Sequence, residues 1–368
     1  MPSVPLNSPP LKPLPLAELH RELGAKFGAF AGYDMPLSYP AGVLKEHLHT
    51  RAEAGLFDIS HMRHVEIAGA DAAKVMARLC PYPAAEQAER LARYTFFLND
   101  SGGIIDDLMV TRLGPDRYRI VCNAGSADKD IAHLRANLAG RDARLTIVDC
   151  AFLALQGPKA EAALKSAGVE ASAMTFLQAA EPRKGWFLTR SGYTGEDGFE
   201  IALPVAEASE LAWRLLGEPA VRPIGLGARD SLRLEAGLSL YGQDLGEDIS
   251  PLEAGLAWAI PKTLRSGGSF IGAAALARMA AMGAPRKRIG LRPQGAAPVR
   301  AHAPILDAEG RKAGEVTSGG FGPSVGHPVA MALVASSALP PFFAEVRGQR
   351  LPVDVTPLPF APHRYKRA

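Results

Sequence analysis

The stretch YTFFLNDSGGIIDDLMV, residues 94–110, predicts a β-hairpin in the first third of the chain. Residues 94–98 and 104–111 are rich in aromatic and branched side chains, which favour strands. Residues 99–103 contain Asn, Asp, Ser and Gly, the residue types that form turns. Residues 117–122 follow a Gly-Pro-Asp turn and predict a third strand. We therefore expect a mixed sheet built from hairpins, with helices packed on it.

Helical spacing of apolar residues recurs on both sides of this hairpin. It predicts helices over residues 16–27, 72–79, 128–138, 227–235 and 272–282. A second strand pair is predicted over residues 187–190 and 199–203. Beyond residue 283 the chain is strand-like and rich in Gly and Pro, which indicates a small all-β domain. We expect a Pro-rich tail over 1–15, an α/β region over 16–283 and the β domain over 284–368, with the basic run 286–288 as a solvated linker.

Composition indicates a globular enzyme and gives no reason to expect a nucleic-acid or membrane partner. The 368 residues include 41 basic and 38 acidic side chains, a formal net charge of +3. Cys80, Cys122 and Cys150 are few and form no CxxC pair, which argues against disulfides and favours a reducing compartment. His47 and His49 are expected on one strand face, in packing rather than metal binding. Without a secretory signal or a run of about 18 apolar residues, a cytoplasmic bacterial protein is expected.

Two adjacent aspartates, Asp106 and Asp107, lie inside the second strand of the predicted hairpin. Side chains alternate along a strand, so the two point to opposite faces, and each face is otherwise mainly apolar. A buried carboxylate is costly unless it is hydrogen-bonded, paired or protonated. The residues alone favour a strand near the sheet edge, with both aspartates reaching water or a turn amide. A functional carboxylate is the alternative.

The segment SGYTGEDGFE, residues 191–200, predicts a Gly-rich connection between the second pair of strands. A tight hairpin explains Gly195 and Gly198 through positive φ. It does not explain Glu200, whose neighbours Phe199 and Ile201 are expected to face a core. Two carboxylate oxygens match a ligand with paired N–H donors, such as the edge of a pterin ring.

Two further segments carry candidate binding residues. Arg229 and Arg233 are four residues apart and share one face of the predicted helix. Asp230 can pair with Arg233, as on a solvated, salt-bridged face, whereas Arg229 is a candidate to present its planar donor fork to a ligand. The C-terminal FAPHRY, residues 360–365, is expected to fray, or to dock through its aromatic side chains and proline.

Six motifs in a fixed order resemble the glycine cleavage T-protein family. They are GGIIDDLMV (102–110), LALQGP (153–158), GYTGEDGFE (192–200), ARDSLRLEAGLSLYGQD (228–244), RAHAPI (300–305) and EVTSGG (315–320). DISHM (58–62) and YTFFLND (94–100) are also similar to the family, and the resemblance runs from about residue 32 to 365. It implies an α+β fold of three domains around a folate cavity, with two intertwined α/β domains and a C-terminal β barrel.

The resemblance also implies a reaction and its residues. Tetrahydrofolate, as co-substrate, receives the aminomethyl carbon from the lipoyl arm of the H protein, giving 5,10-methylenetetrahydrofolate, ammonia and the dihydrolipoyl arm. Asp107 matches the family's functional carboxylate, and it is expected both to act in catalysis and to contact folate. Further matches, the last three of them weaker, are the folate-contacting residues Glu200, Arg229, Tyr365, Tyr94, Asn123 and Arg300. No metal is expected.

The implied mechanism has a folate nitrogen attacking the methylene carbon as ammonia leaves. Asp107 is then expected to orient the folate and to manage a proton or the developing cationic iminium. Related folate-dependent demethylases share the fold, and the intact motif series disfavours them. A non-catalytic folate-binding protein of the iron–sulfur assembly type is disfavoured because its KGCYxGQE signature is absent. Because one fold hosts several activities, the fold alone does not separate these classes.

Overall fold

The computed structural model describes residues 10–367. Within them the helices are α1 Ala17–Glu22, α2 Val43–Ala52, α3 Ala72–Leu79, α4 Ala127–Leu138, α5 Ala160–Ser166, α6 Val205–Leu216, α7 Leu226–Glu235, α8 Lys262–Arg265 and α9 Ala273–Met282. The first fourteen strands are β1 Lys12–Pro13, β2 Lys26–Phe30, β3 Tyr33–Ser38, β4 Ala54–Asp58, β5 Arg63–Ala68, β6 Ala92–Leu98, β7 Ile104–Gly114, β8 Arg117–Cys122, β9 Arg144–Val148, β10 Ala151–Gln156, β11 Ala179–Ala180, β12 Phe187–Thr189, β13 Gly198–Leu203 and β14 Val221–Pro223. The remaining strands are β15 Arg286–Pro293, β16 Pro304–Leu306, β17 Lys312–Gly322, β18 His327–Ala335, β19 Phe342–Val346 and β20 Gln349–Thr356.

The predicted hairpin forms the centre of a five-stranded antiparallel sheet. The strand order is β6-β7-β8-β5-β9, so β7 is flanked on both sides and is not an edge strand. One face of β7 packs under α3 and α4 in a fully buried cluster that includes Leu108, Val110 and Phe97. The opposite face carries Asp107 and Met109 toward a cavity.

A second sheet of six strands, in the order β11-β12-β13-β10-β4-β14, lies beside the first. The chain begins in this sheet at β4, leaves to build the whole five-stranded sheet, and returns at β10. This path intertwines the two α/β domains, as the resemblance implied. A shared apolar cluster joins the sheets, because Val121 of β8 packs with Phe57 of β4 and Phe152 of β10.

The C-terminal strands close into a six-stranded barrel in the order β15-β18-β17-β16-β19-β20. The fold class expected from the sequence is therefore confirmed. Helix α7 connects the barrel to the rest, since Leu234 near its end packs on Val329 and Met331. The basic run at 286–288 is not a solvated linker but the start of β15. Arg286 pairs with the buried Glu253 at 2.7 Å, which explains why the run is ordered in a strand.

One prediction near the N-terminus was wrong in detail. The helix expected over 16–27 ends at Glu22, and β2 begins at Lys26. Gly24, at φ +72, stands between them, in a conformation that ends a helix readily. Part of the expected tail, residues 1–9, lies outside the described residues, while Lys12–Pro13 pairs in parallel with β3.

His47 and His49 lie on helix α2 rather than on a strand. His47 is fully buried and bonds Ser231, Glu235 and Ser324, which agrees with the expected packing role. The three cysteines are free thiols in this structure. Among residues 10–367, no helix has the length and apolar character needed to cross a bilayer.

Candidate functional site

A cavity of about 1820 Å³ lies where the two α/β domains, helix α7 and the barrel meet. Each part of the fold contributes to its wall. The lining residues include Tyr94, Asp107 and Asn123 from the first sheet, Glu200 from the second, Arg229 from α7, Arg288 and Val355 from the barrel, and Tyr365 from the C-terminal segment. This volume exceeds that of an ordinary small-molecule pocket, and the wall offers both polar and apolar groups, so the cavity suits a large ligand of mixed polarity.

Asp107 stands on β7 at the cavity wall, and two polar neighbours hold its carboxylate. The Tyr94 hydroxyl donates to its Oδ2 at 2.9 Å, and the Asn123 side-chain amide donates to its Oδ1 at 3.0 Å. Burial, reinforced by the negative charge of Asp106, raises the pKa of Asp107 to about 7. The group is thus positioned and changes charge near neutral pH, as a proton-managing residue requires.

Asp106 does not reach water, contrary to the simplest expectation from the sequence. Its side chain is fully buried, because β7 has neighbours on both sides and helices above it. The backbone N–H of Asn123 donates to its Oδ2 at 3.2 Å, and the Asn123 side-chain amide donates to its Oδ1 at 3.0 Å. The turn amide that was expected is present, but inside the protein.

Glu200 lies on β13, half-buried, at the opposite wall of the cavity. The Ser191 hydroxyl donates to its Oε2 at 2.6 Å, and in the described chain no such contact is made to Oε1. Burial raises the pKa of Glu200, and the positive charge of Arg229 opposes this rise. The free oxygen therefore faces the cavity as an acceptor.

The glycines of residues 191–198 shape this wall for two different reasons. Gly195 has φ +80, as predicted for the loop. Gly198 instead begins β13, and its φ is not in the positive range. Glycine is needed there because a Cβ would lie 2.3 Å from the carbonyl oxygen of Leu155. Close approach of two strands, rather than a turn conformation, explains this glycine.

Arg229 presents a cation to the cavity with little compensation from the protein. Its Nη1 is buried and has no hydrogen-bond partner among residues 10–367. The guanidinium lies over the ring of Tyr193, 4.8 Å from the centroid. Burial lowers the pKa of Arg229, and the negative charge of Glu200 opposes this shift. An unpaired buried donor indicates a ligand acceptor at this point. By contrast Arg233 is buried and pairs within the protein, so the predicted solvated face was wrong.

The C-terminal segment docks onto the body instead of fraying. Tyr365 stacks on Phe176 with ring centroids 4.0 Å apart and planes 6° apart. The backbone N–H of Arg364 donates to the carbonyl of Gly195 at 2.8 Å, and that of Phe176 donates to Lys366. These contacts place Tyr365 at the cavity beside the Gly-rich loop.

One predicted site residue is not brought to the cavity. Arg300 is exposed in the connection between β15 and β16 and is absent from the cavity lining. It is the first residue of the motif RAHAPI, and the Ala303 N–H donates to its carbonyl oxygen at 3.3 Å in a turn. We therefore exclude Arg300 from the site.

The structure adds lining residues that were not identified from the sequence. Among them are the cavity residues Tyr193, His61, Trp258 and Arg288. His61 is buried and its pKa is lowered to about 4 by burial and by Arg229, so it is neutral. Trp258 is 65% exposed and stacks on Tyr94 at 5.7 Å. Tyr193 lies in the motif GYTGEDGFE and His61 in DISHM. For Tyr193, an aromatic side chain inside a Gly-rich loop was the feature of the sequence that could have indicated a binding residue.

An α/β pair and a β barrel surround one cavity that carries carboxylates and an arginine on its walls, the arrangement expected for the folate-dependent one-carbon transferases that the sequence motifs resemble. Comparison with known proteins gives the same class. Residues 16–263 match the GCVT N-terminal domain, and residues 286–361 match the glycine cleavage T-protein C-terminal barrel domain. The chain therefore belongs to the glycine cleavage T-protein family, and it is a tetrahydrofolate-dependent aminomethyltransferase.

Relatives support this assignment over nearly the whole chain. The aminomethyltransferase of Bordetella parapertussis is 43% identical, with 97% of this chain and 98% of the relative covered. The human mitochondrial aminomethyltransferase is 41% identical, with 96% and 91% covered. The crystal structure of glycine cleavage system aminomethyltransferase T from Bartonella henselae is 49% identical, with a TM-score of 0.95 over 97% of this chain and 100% of that one.

Proposed function

We propose that Asp107 is the catalytic residue of this aminomethyltransferase, and that Glu200, Arg229 and Tyr365 bind tetrahydrofolate in the cavity. The observation that supports this most directly is the position of Asp107. It is a carboxylate with a pKa near neutrality, held by two donors at the wall of a cavity shared by all three domains. The proposed co-substrate is tetrahydrofolate, and no step requires a metal.

The cavity walls offer the groups that a reduced pterin needs. Glu200 has one carboxylate oxygen held by Ser191 and the other directed to the cavity, so it can accept from ring N–H groups. Arg229 supplies a buried donor without a protein partner, which fits a carbonyl or anionic acceptor of the ligand. The stacked ring of Tyr365 adds an apolar surface of fixed orientation.

In the proposed reaction Asp107 acts on charge that develops at the methylene carbon. A bond from a folate nitrogen to that carbon forms as its bond to ammonia breaks, and the second folate nitrogen then displaces the lipoyl sulfur. The two protons released by folate N–H groups end on ammonia and on the dihydrolipoyl thiol. The Asp107 carboxylate stabilises the cationic carbon–nitrogen unit and can accept the first proton. Tyr94 and Asn123 keep that carboxylate oriented.

We further propose that the aminomethyl donor is the lipoylated H protein and that the enzyme works in the bacterial cytoplasm. The free thiols of Cys80, Cys122 and Cys150 suit a reducing compartment. The decisive assay mixes the protein with tetrahydrofolate and aminomethylated H protein, and follows ammonia and methylenetetrahydrofolate. Turnover is expected. Demethylation of a small methyl donor without this turnover would favour the rival demethylases.

The pH dependence of the reaction is expected to report the ionisation of Asp107. Because the ionised form is the proposed active form, kcat/KM should fall below a midpoint near the pKa of about 7 and level off above it. Tyr94→Phe removes a hydrogen bond that lowers this pKa, so the midpoint should move to higher pH. Steady-state rates between pH 5.5 and 9 measure this. An unchanged midpoint in Tyr94→Phe would show that the fall of kcat/KM at low pH does not report the ionisation of Asp107.

Replacing Arg229 by methionine should weaken tetrahydrofolate binding. A hydrogen bond to a charged group contributes about 1.5–3 kcal/mol, so Kd should rise about 10- to 100-fold. Stability should not fall, because the wild-type Nη1 is buried without a partner. Calorimetric titration measures the change. Arg222→Met, at an exposed position on β14, is the matched control, and equal Kd values for the two variants would remove Arg229 from the site.

A further inference from the structure

A second carboxyl group lies behind the proposed catalytic residue and has no place in the mechanism above. Asp130, in the first turn of α4, is fully buried, and its carboxyl group lies close enough to the equally buried carboxyl group of Asp106 for the two to interact. Neither Asp130 oxygen accepts a hydrogen bond from an N–H or O–H donor of residues 10–367. Two carboxyl groups in such contact cannot both be ionised, so the pair must share a proton.

The neighbours of the pair decide where that proton resides. Asp106 receives two hydrogen bonds from Asn123, one from the backbone and one from the side chain, and these stabilise its ionised form. Beside Asp130 lies the Cys122 thiol, which is a weak donor. Burial, followed by the charge of Asp106, raises the pKa of Asp130. Asp130 is therefore the acid and Asp106 the carboxylate.

The same asparagine that bonds Asp106 also bonds Asp107. One Asn123 side-chain amide lies 3.0 Å from Asp106 Oδ1 and 3.0 Å from Asp107 Oδ1. The same nitrogen lies 3.0 Å from the Asp107 backbone carbonyl oxygen, so two N–H groups serve three acceptors, and the charge of Asp106 strengthens the bond that orients the amide. We propose that protonated Asp130 is a positioning residue for aminomethyl transfer, which acts through Asp106 and Asn123 to hold the Asp107 carboxylate.

Titratable groups around this relay come from β6, β7, β8 and α4, with Tyr94 of β6 bonded to Asp107, and from the loop residues Tyr193 and Tyr241. Asp106 and Asp107 lie on β7, Cys122 on β8, and Lys129 precedes Asp130 on α4. Lys129 is engaged at the surface, since its Nζ donates to Glu247 at 2.8 Å, and it opposes the rise in the pKa of Asp130 without removing it. The negative charge of Asp106 in turn raises the pKa of Asp107, so a loss of that charge should be visible in the pH profile.

Two substitutions at Asp130 test this inference, which rests on the proposed function of Asp107. Asp130→Asn retains a neutral donor toward Asp106, and its kcat and pH midpoint should stay near the wild-type values. Asp130→Ala removes the donor, so Asp106 takes the proton itself and the Asn123 amide loses its charged acceptor. We expect kcat to fall about tenfold, the effect of one hydrogen bond, with KM for tetrahydrofolate little changed. The acid midpoint of kcat/KM should move below that of the wild type.

The variants and one spectroscopic measurement separate this role from simple packing. Equal losses in Asp130→Asn and Asp130→Ala, or an Asp130→Ala variant with unchanged kcat and midpoint, would overturn it. Difference infrared spectra of wild type minus Asp130→Asn need no activity. At a pH well above the usual carboxyl range they should show the carbonyl band of a protonated carboxylic acid. Absence of that band would refute the shared proton even if Asp107 itself proved catalytic.

Discussion

We expect Asp107→Asn to lower kcat for aminomethyl transfer by about 10²- to 10⁴-fold, the usual contribution of a positioned acid–base group. The amide keeps a similar shape but carries no negative charge at any pH, so it neither accepts a proton nor stabilises the cationic carbon. It also has one acceptor oxygen where the carboxylate uses two, for Tyr94 and Asn123. Single-turnover formation of methylenetetrahydrofolate measures the chemical step directly.

The loss should occur in a protein that still folds and binds folate. Because the pKa of Asp107 in the folded protein, about 7, lies above its ordinary value, ionisation destabilises the fold as pH rises through that value. A neutral amide removes this cost, so the variant's thermal midpoint near pH 8 should equal or exceed that of the wild type. Asp116→Asn, at the exposed turn after β7, is the control. Transfer within a few-fold of the wild-type rate, with folate bound, would show that Asp107 has another role.

Local chemistry was sufficient to predict the elements that surround this site. The turn at 99–103 and the flanking branched and aromatic residues predicted β6 and β7, and helix α3 was found over its full length of Ala72–Leu79. The predictions that failed concern segments whose structure depends on tertiary contacts. The run at 286–288 has the composition of a linker, and only its pairing with Glu253 and with strand β18 makes it a strand.

The site shows the same division between local and tertiary information. Alternation along β7 correctly placed Asp106 and Asp107 on opposite faces, but the sequence contains no measure of which strands flank β7. Burial of Asp106 follows from the neighbours β6 and β8 and from the helices above them. The exposure of Arg300 likewise depends on how the connection between β15 and β16 packs, and no local pattern in the sequence encodes that packing.

Replacing Asp244 by alanine should lower the free energy of unfolding by about 3 kcal/mol, the lower end of the usual cost of removing one partner of a buried ion pair, because Asp230 Oδ1 still accepts from Arg233 Nε at 2.8 Å. Asp244 Oδ2 lies 2.8 Å from Arg233 Nη1, and both side chains are almost fully buried. The same oxygen accepts from the Ser318 hydroxyl at 2.8 Å and from the Leu240 N–H at 2.9 Å. This carboxylate therefore connects α7 with barrel strand β17 beside the cavity, and its loss should weaken the contact between them. Urea unfolding followed by tryptophan fluorescence measures the change.

The physical cause can be separated from a general effect of truncation. In Arg233→Met combined with Asp244→Leu, no buried charge remains, so the double variant should be more stable than Asp244→Ala, since apolar replacement of a buried pair is often close to neutral. Asp100→Ala, at an exposed turn position, should stay within about 0.5 kcal/mol of the wild type. A double variant less stable than Asp244→Ala would show that the polar links to Ser318 and Leu240, rather than the buried partner of Arg233, hold the barrel against α7.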